Sequence, residues 1–169
     1  MPFNDDLQKE LIHDLLVESF EGLDRYDREM LEIEKNAGGA ESLNSIFRIV
    51  HTIKGTSGCI GFNKIESVAH VGENLLSLVR EGKLTPHPEM ITTLLELADA
   101  LREMLRSVEA NGTQGDADYS KLLQKLQDLQ NPSASPAPAP APAAPVPAAA
   151  APAPPSPASS PKKIGRAHV

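Results

Sequence analysis

The chain has 169 residues with 15 prolines, four phenylalanines, two tyrosines and no tryptophan, and 12 of the prolines fall between Pro132 and Pro161. That imbalance argues against two folded domains and predicts one compact domain over 1–131 followed by an unfolded tail over 132–169. The first part holds all 23 acidic and 13 of the 16 basic residues, a formal charge of −10 against +3 for the tail, and an acidic domain without a basic stripe repels phosphate backbones. A protein or small-molecule partner is expected instead of nucleic acid.

No run of ~18 apolar residues exists to span a bilayer, and Met1 to Asp6 lacks the basic and apolar regions of a signal peptide. The single cysteine, Cys59, cannot close a disulfide within the chain, which agrees with a reducing compartment. A cytoplasmic location is expected.

Apolar residues recur at helical spacing in five blocks, and no alternating strand pattern appears. In the first, Ile12, Leu16, Ser19, Leu23, Tyr26, Met30 and Ile33 form the inward stripe, with acidic and basic residues opposite. This predicts a helix from about Asn4, as N-cap, to Asn36, stopped by Gly38-Gly39. The second block carries Leu43, Ile46, Val50, Ile53 and Ile60 and ends near Gly61, with Cys59 read as a small buried apolar residue. Asn63-Lys64-Ile65-Glu66 has capping-box character and opens the third helix, whose stripe is Ile65, Val68, Ala69, Gly72, Leu75, Leu76 and Val79. After a Gly82 turn, Thr85-Pro86 reads as a cap with proline at the first helical position, leading into Ile91, Leu94, Leu95, Ala98, Leu101, Leu105 and Val108. Asn111 to Gly115 is a loop, and Asp116 or Asp118 opens a short fifth helix with Leu122, Leu126 and Leu129. The expected fold is all-α, an antiparallel up-and-down four-helix bundle with the fifth helix against one end.

The thirty residues from Pro132 to Pro161 are 12 Pro, 12 Ala, five Ser and one Val, and they carry no charge. Such a composition populates extended polyproline II at ~3.1 Å per residue, so the segment reads as a tether of up to ~90 Å. Lys162 to Val169 reads as the edge of a fragment.

One feature does not suit a plain bundle. The second helix contains Gly55, Gly58 and Gly61, and a glycine inside a helix costs ~1 kcal/mol relative to alanine. Relative to the core direction of Ile46, Val50 and Ile53, His51 points about 140° away, with Gly55 and Gly58 within about 40° of it and Lys54 on the shoulder nearest the core. The glycines thus border an outward histidine on a helix stripped of bulk, as an imidazole needs if another protein's active site is to close over it. His70 and Glu73, three apart on the third helix, share a shoulder that faces His51 if the two helices are antiparallel through Gly61-Phe62-Asn63. A carboxylate accepting from Nδ1–H fixes the tautomer and leaves the Nε2 lone pair free, which is the role expected of Glu73. Lys54 offers an ammonium to the oxygens of a phosphoryl group on Nε2. Tyr26 and Tyr119 read as packing groups.

Ile46-Phe47-Arg48-Ile49-Val50-His51-Thr52-Ile53-Lys54-Gly55-Thr56-Ser57-Gly58, then Gly61-Phe62 and His70-Val71-Gly72-Glu73-Asn74-Leu75-Leu76, strongly resemble the histidine phosphotransfer (HPt) domain. Within it they look most like the N-terminal P1 domain of CheA-type chemotaxis histidine kinases. The resemblance covers about Asn4 to Asn131. It implies that His51 is the phospho-acceptor, that Glu73 and His70 belong to its hydrogen-bond network, and that Lys54 assists. It implies a monomeric domain whose partners are a histidine kinase catalytic domain, which supplies ATP and Mg²⁺, and CheY- or CheB-like response regulators. The tail is similar to the linker that joins P1 to the rest of such kinases. No Gly-rich nucleotide-binding segment, dimerisation helices or regulator-docking domain is recognisable in these residues, so no cofactor and no self-contained kinase activity is expected.

Two alternatives have other chemistry. A metal-binding bundle would use His70 and Glu73, but such sites need motifs from two helices and further inward carboxylates. The other is a structural adaptor bundle with a proline tether.

Overall fold

The computed structural model describes residues 5–36 and 38–131, and all of its regular structure is helical. The helices are α1 (Asp5–Glu34), α2 (Ala40–Ile60), α3 (Asn63–Arg80), α4 (Pro88–Asn111) and α5 (Ser120–Gln130). Helices α1 to α4 contact one another in the cycle α1–α2–α3–α4–α1, the four-helix bundle expected from the apolar spacing, and α5 packs on α3 and α4. The expected Asn4 cap and the Pro/Ala tail lie outside the described residues.

The seven expected stripe positions of α3 are all buried, as are Ile46, Val50 and Ile53 of α2. In α1 the register differs slightly, since Leu15 is fully buried whereas Ile12 and Leu16 only border the core. Leu97 and Met104 of α4 add to the expected set. At the centre of α3, a Cβ on Gly72 would overlap the Leu97 side chain, so this glycine allows α3 and α4 to approach. Tyr26 is fully buried, and its hydroxyl donates to the Leu94 carbonyl at 2.9 Å, which gives its polar end a partner inside the core.

The helix ends depart most from expectation. Helix α1 stops at Glu34, two residues early, because Asn36 takes the left-handed conformation at φ 55° and its N–H returns to the Ile33 carbonyl. Asn63 is already helical and caps nothing with its side chain; the Ile65 N–H is met instead by Gln114 Oε1 at 2.9 Å, from the loop after α4. In the same loop the Gly115 carbonyl accepts from Lys64 Nζ. Helix α4 begins at Pro88, not Pro86, with His87 as the N-cap and its Nδ1 accepting from the Met90 N–H. Helix α5 begins at Ser120, where Asp118 Oδ1 accepts from the Ser120 N–H. Gly61 ends α2 as expected, at φ 93° with its N–H returned to the Ser57 carbonyl.

Among the described residues, no helix is long and apolar enough to cross a membrane.

Candidate functional site

The two-residue link between α2 and α3, Gly61-Phe62, makes these helices antiparallel neighbours and sets their register. A Cβ on Gly58 would lie 3.0 Å from the Glu66 carboxyl carbon, while two turns back along α2 His51 meets Glu73, two turns further along α3. His51 Nδ1 lies 2.9 Å from Glu73 Oε1, and Lys54 Nζ lies 2.7 Å from Glu73 Oε2. Residues 22 apart in sequence are thereby brought together by helical period and one tight turn.

The burial of the three side chains differs in a way that assigns their chemistry. Glu73 is 12% exposed, Lys54 26% and His51 59%. Burial pushes the Glu73 carboxyl up, but the Lys54 ammonium and the His51 ring outweigh it, and the carboxyl is held below the usual glutamate range. Glu73 is therefore ionised at neutral pH and accepts only. Its Oε2 is buried and meets Lys54 as a close ion pair without the alignment of a hydrogen bond, so the ammonium neutralises it while Oε1 serves the ring. Since an ionised carboxylate has no proton to give, the 2.9 Å contact requires Nδ1 to carry the hydrogen. The Nε2 lone pair then belongs to the outer, exposed side of the ring.

Gly55, one turn beyond His51, has nothing within 4 Å of where a Cβ would stand, and so leaves open space on that side of the ring. Gly58 differs: it is half-buried, and its missing side chain makes room for Glu66 of α3. The expectation that both glycines border open space therefore needs correcting at Gly58, because that part of α2 is turned toward its neighbour. His70 is exposed, and no hydrogen bond among the described residues links it to His51, Lys54 or Glu73. The same register places His70 one turn before Glu73, level with Lys54, whose ammonium goes to Glu73 Oε2 instead. Cys59 is exposed rather than buried, as its angle of about 120° from Ile53 requires.

One neighbour of the ring was not legible in the motif. The Phe47 ring, one turn before His51, stacks with the imidazole at 5.9 Å between centroids and 17° between planes. The Arg80 guanidinium, at the end of α3, lies 3.9 Å from the centroid of Phe47.

The site is not a cavity. A groove of about 660 Å³ runs between α1 and α2, lined by Gly22, Arg25, Arg48, Ile49 and Thr52 among others, and neither His51 nor Glu73 belongs to it. Among the described residues, no three His, Cys, Asp or Glu side chains come together as a metal-holding group. What the arrangement can do is present one oriented nucleophilic nitrogen to a partner.

The model of the Hpt domain family matches residues 10–111. The sensor histidine kinase CheAY of Helicobacter pylori is 33% identical over 109 residues, which are 64% of this chain and 13% of that protein. The chemotaxis protein CheA of Rhizobium meliloti is 31% identical over 102 residues (60% and 14%), and that of Listeria monocytogenes 31% over 120 (70% and 19%). The chain thus spans less than a fifth of the length of these relatives. Among solved structures, the phosphorylated P1 domain of CheA3 in complex with CheY6 from R. sphaeroides superposes with a TM-score of 0.65 at 28% identity, covering 72% of this chain and 95% of that one.

Proposed function

We propose, from the premise that this chain belongs to the Hpt domain family, that it is the phospho-accepting module of a CheA-type chemotaxis kinase system and that His51 carries the phosphoryl group. The observation that carries this reading is the pairing of a 59% exposed imidazole with a buried, ionised carboxylate at 2.9 Å through Nδ1. The Nε2 lone pair forms a bond to the γ-phosphorus of ATP held in a separate kinase domain, as the bond from that phosphorus to the ADP oxygen breaks. Glu73 keeps the proton on Nδ1 and offsets the positive charge that develops on the ring. Lys54, whose ammonium lies 2.7 Å from Glu73 Oε2, assists by offering N–H donors to the phosphoryl oxygens.

In the second half of the relay a response-regulator aspartate attacks the same phosphorus. The P–N bond breaks, and its electron pair returns to Nε2 as a neutral imidazole. ATP and Mg²⁺ are supplied by the partners, CheY- or CheB-like receivers take the product, and the module works in the cytoplasm, where these partners and ATP are found. The solved P1 domain in complex with CheY6 supports the second partner class.

Incubation with a CheA kinase core and radiolabelled ATP tests this reading. The expected result is an acid-labile, alkali-stable label on the wild type that is absent from His51→Gln. A wild type that takes no label, or a His51→Gln variant that still does, overturns it.

A further inference from the structure

The geometry assigns Phe47 and Arg80 a joint positioning role: the Arg80 guanidinium clamps the Phe47 ring, and that ring in turn sets the plane of the His51 imidazole. This inference rests on the phospho-acceptor reading of His51.

The hydrogen bond to Glu73 fixes one atom of the His51 ring. A ring that is 59% exposed and held at Nδ1 alone retains rotation about that contact, which swings Nε2 over an arc. Productive phosphoryl transfer needs Nε2 in line with the bond that breaks, so an unconstrained arc costs rate. The second constraint is an area contact. Phe47 stacks with the imidazole at 17°, and the Glu73 contact together with this face leaves one orientation for the ring.

Phe47 needs support of its own, because it is only partly buried at the border of the core. Arg80 gives that support from α3, the helix that also carries Glu73. Its guanidinium carbon, 3.9 Å from the ring centroid, is within stacking distance, a contact that the planar guanidinium makes and a lysine ammonium does not reproduce. The two constraints on the imidazole thus both come from α3, one by hydrogen bond and one through Phe47.

A competing account of Arg80 is that a cation in the last turn simply complements the helix dipole. Arg80→Lys separates the two, since it keeps the charge at the helix end and loses the planar stack. The phosphorylation assay with a CheA kinase core is run on Phe47→Leu, Phe47→Tyr, Arg80→Ala and Arg80→Lys, with ¹⁵N spectra of the His51 ring recorded for each. Phe47→Leu is expected to lower kcat for phosphoryl acceptance about tenfold with KM little changed, and to reduce the share of the Nδ1–H tautomer. Phe47→Tyr restores both. Arg80→Ala and Arg80→Lys both lower kcat by about threefold, in proportion to the weaker exposed contact.

Wild-type rate and tautomer in Phe47→Leu, or an Arg80→Lys as active as wild type beside an impaired Arg80→Ala, overturn the assignment. A wild type that takes no label sinks the phospho-acceptor reading itself, so the two failures are distinct. Helicity and unfolding midpoint are measured alongside, and a loss of rate that Phe47→Tyr does not restore counts against the positioning role.

Discussion

Two clusters of charge bridge pairs of helices in this bundle, and they are built in opposite ways. Between α1 and α4, Arg102 is the sheltered member at 15% exposure; it reaches Asp27 at 2.8 Å, Asp99 at 3.2 Å and Asp24 at 3.8 Å, all of them far more exposed. Between α2 and α3 the sheltered member is a carboxylate, and one of its two partners is an exposed imidazole. A guanidinium saturated by carboxylates has no lone pair to offer, so the first cluster can only tie helices together. The second leaves one nitrogen unspent. Both clusters shelter a charge, and what separates a strut from a relay site is that the exposed partner of the second keeps a nucleophilic nitrogen.

The largest expected effect comes from removing the buried carboxylate. Glu73→Ala frees the ring to exchange tautomers and withdraws the charge that balances it, so phosphoryl acceptance falls by about 10² to 10⁴ fold while the unfolding midpoint moves little. An unchanged rate at unchanged helicity removes Glu73 from the mechanism and reduces its cluster to a second strut. Next is the open space beside the ring. Gly55→Leu places bulk where nothing now lies within 4 Å, and should lower acceptance from the kinase about tenfold or more. Thermal unfolding of the same variant should be unchanged or slightly higher, because the helix loses an interior glycine. A fully active Gly55→Leu shows that partners do not approach from that side.

On the opposite side of the comparison, Arg102→Ala should cost about 1 kcal/mol in urea denaturation and leave phosphoryl acceptance at the wild-type rate. A slower acceptance there breaks the division between the two clusters.

How much of this was legible before the structure follows from the range of each contact. His51, Lys54 and Glu73 were readable because 3.6-residue periodicity and the short Gly61-Phe62 link carry all the geometry they need. The α3 stripe was readable for the same reason. Arg80 was not, since it lies 29 residues beyond His51 and acts through Phe47, so nothing in the local pattern separates it from an ordinary charged helix end. Gln114 was equally hidden: it replaces the local cap expected of Asn63 across 49 residues, and a sequence motif cannot report a donor satisfied from so far away. Cys59 fell to the opposite error. Its helical angle points outward, and that position decides over the burial habit of its residue type.

The smallest effect is also the one that distinguishes the Glu73 cluster by electrostatics alone. Because the folded-state pKa of Glu73 lies below the ordinary glutamate value of 4.5, the unfolded chain binds its proton more readily than the native one does. The contribution of the ionised form is therefore complete above that value, and it is lost as pH falls through the depressed folded-state pKa. In urea denaturation followed by circular dichroism, wild type should exceed Glu73→Gln at neutral pH, and the two midpoints should converge in acid, below the ordinary glutamate range. A gap that stays constant into acid would mean that Glu73 contributes shape rather than charge.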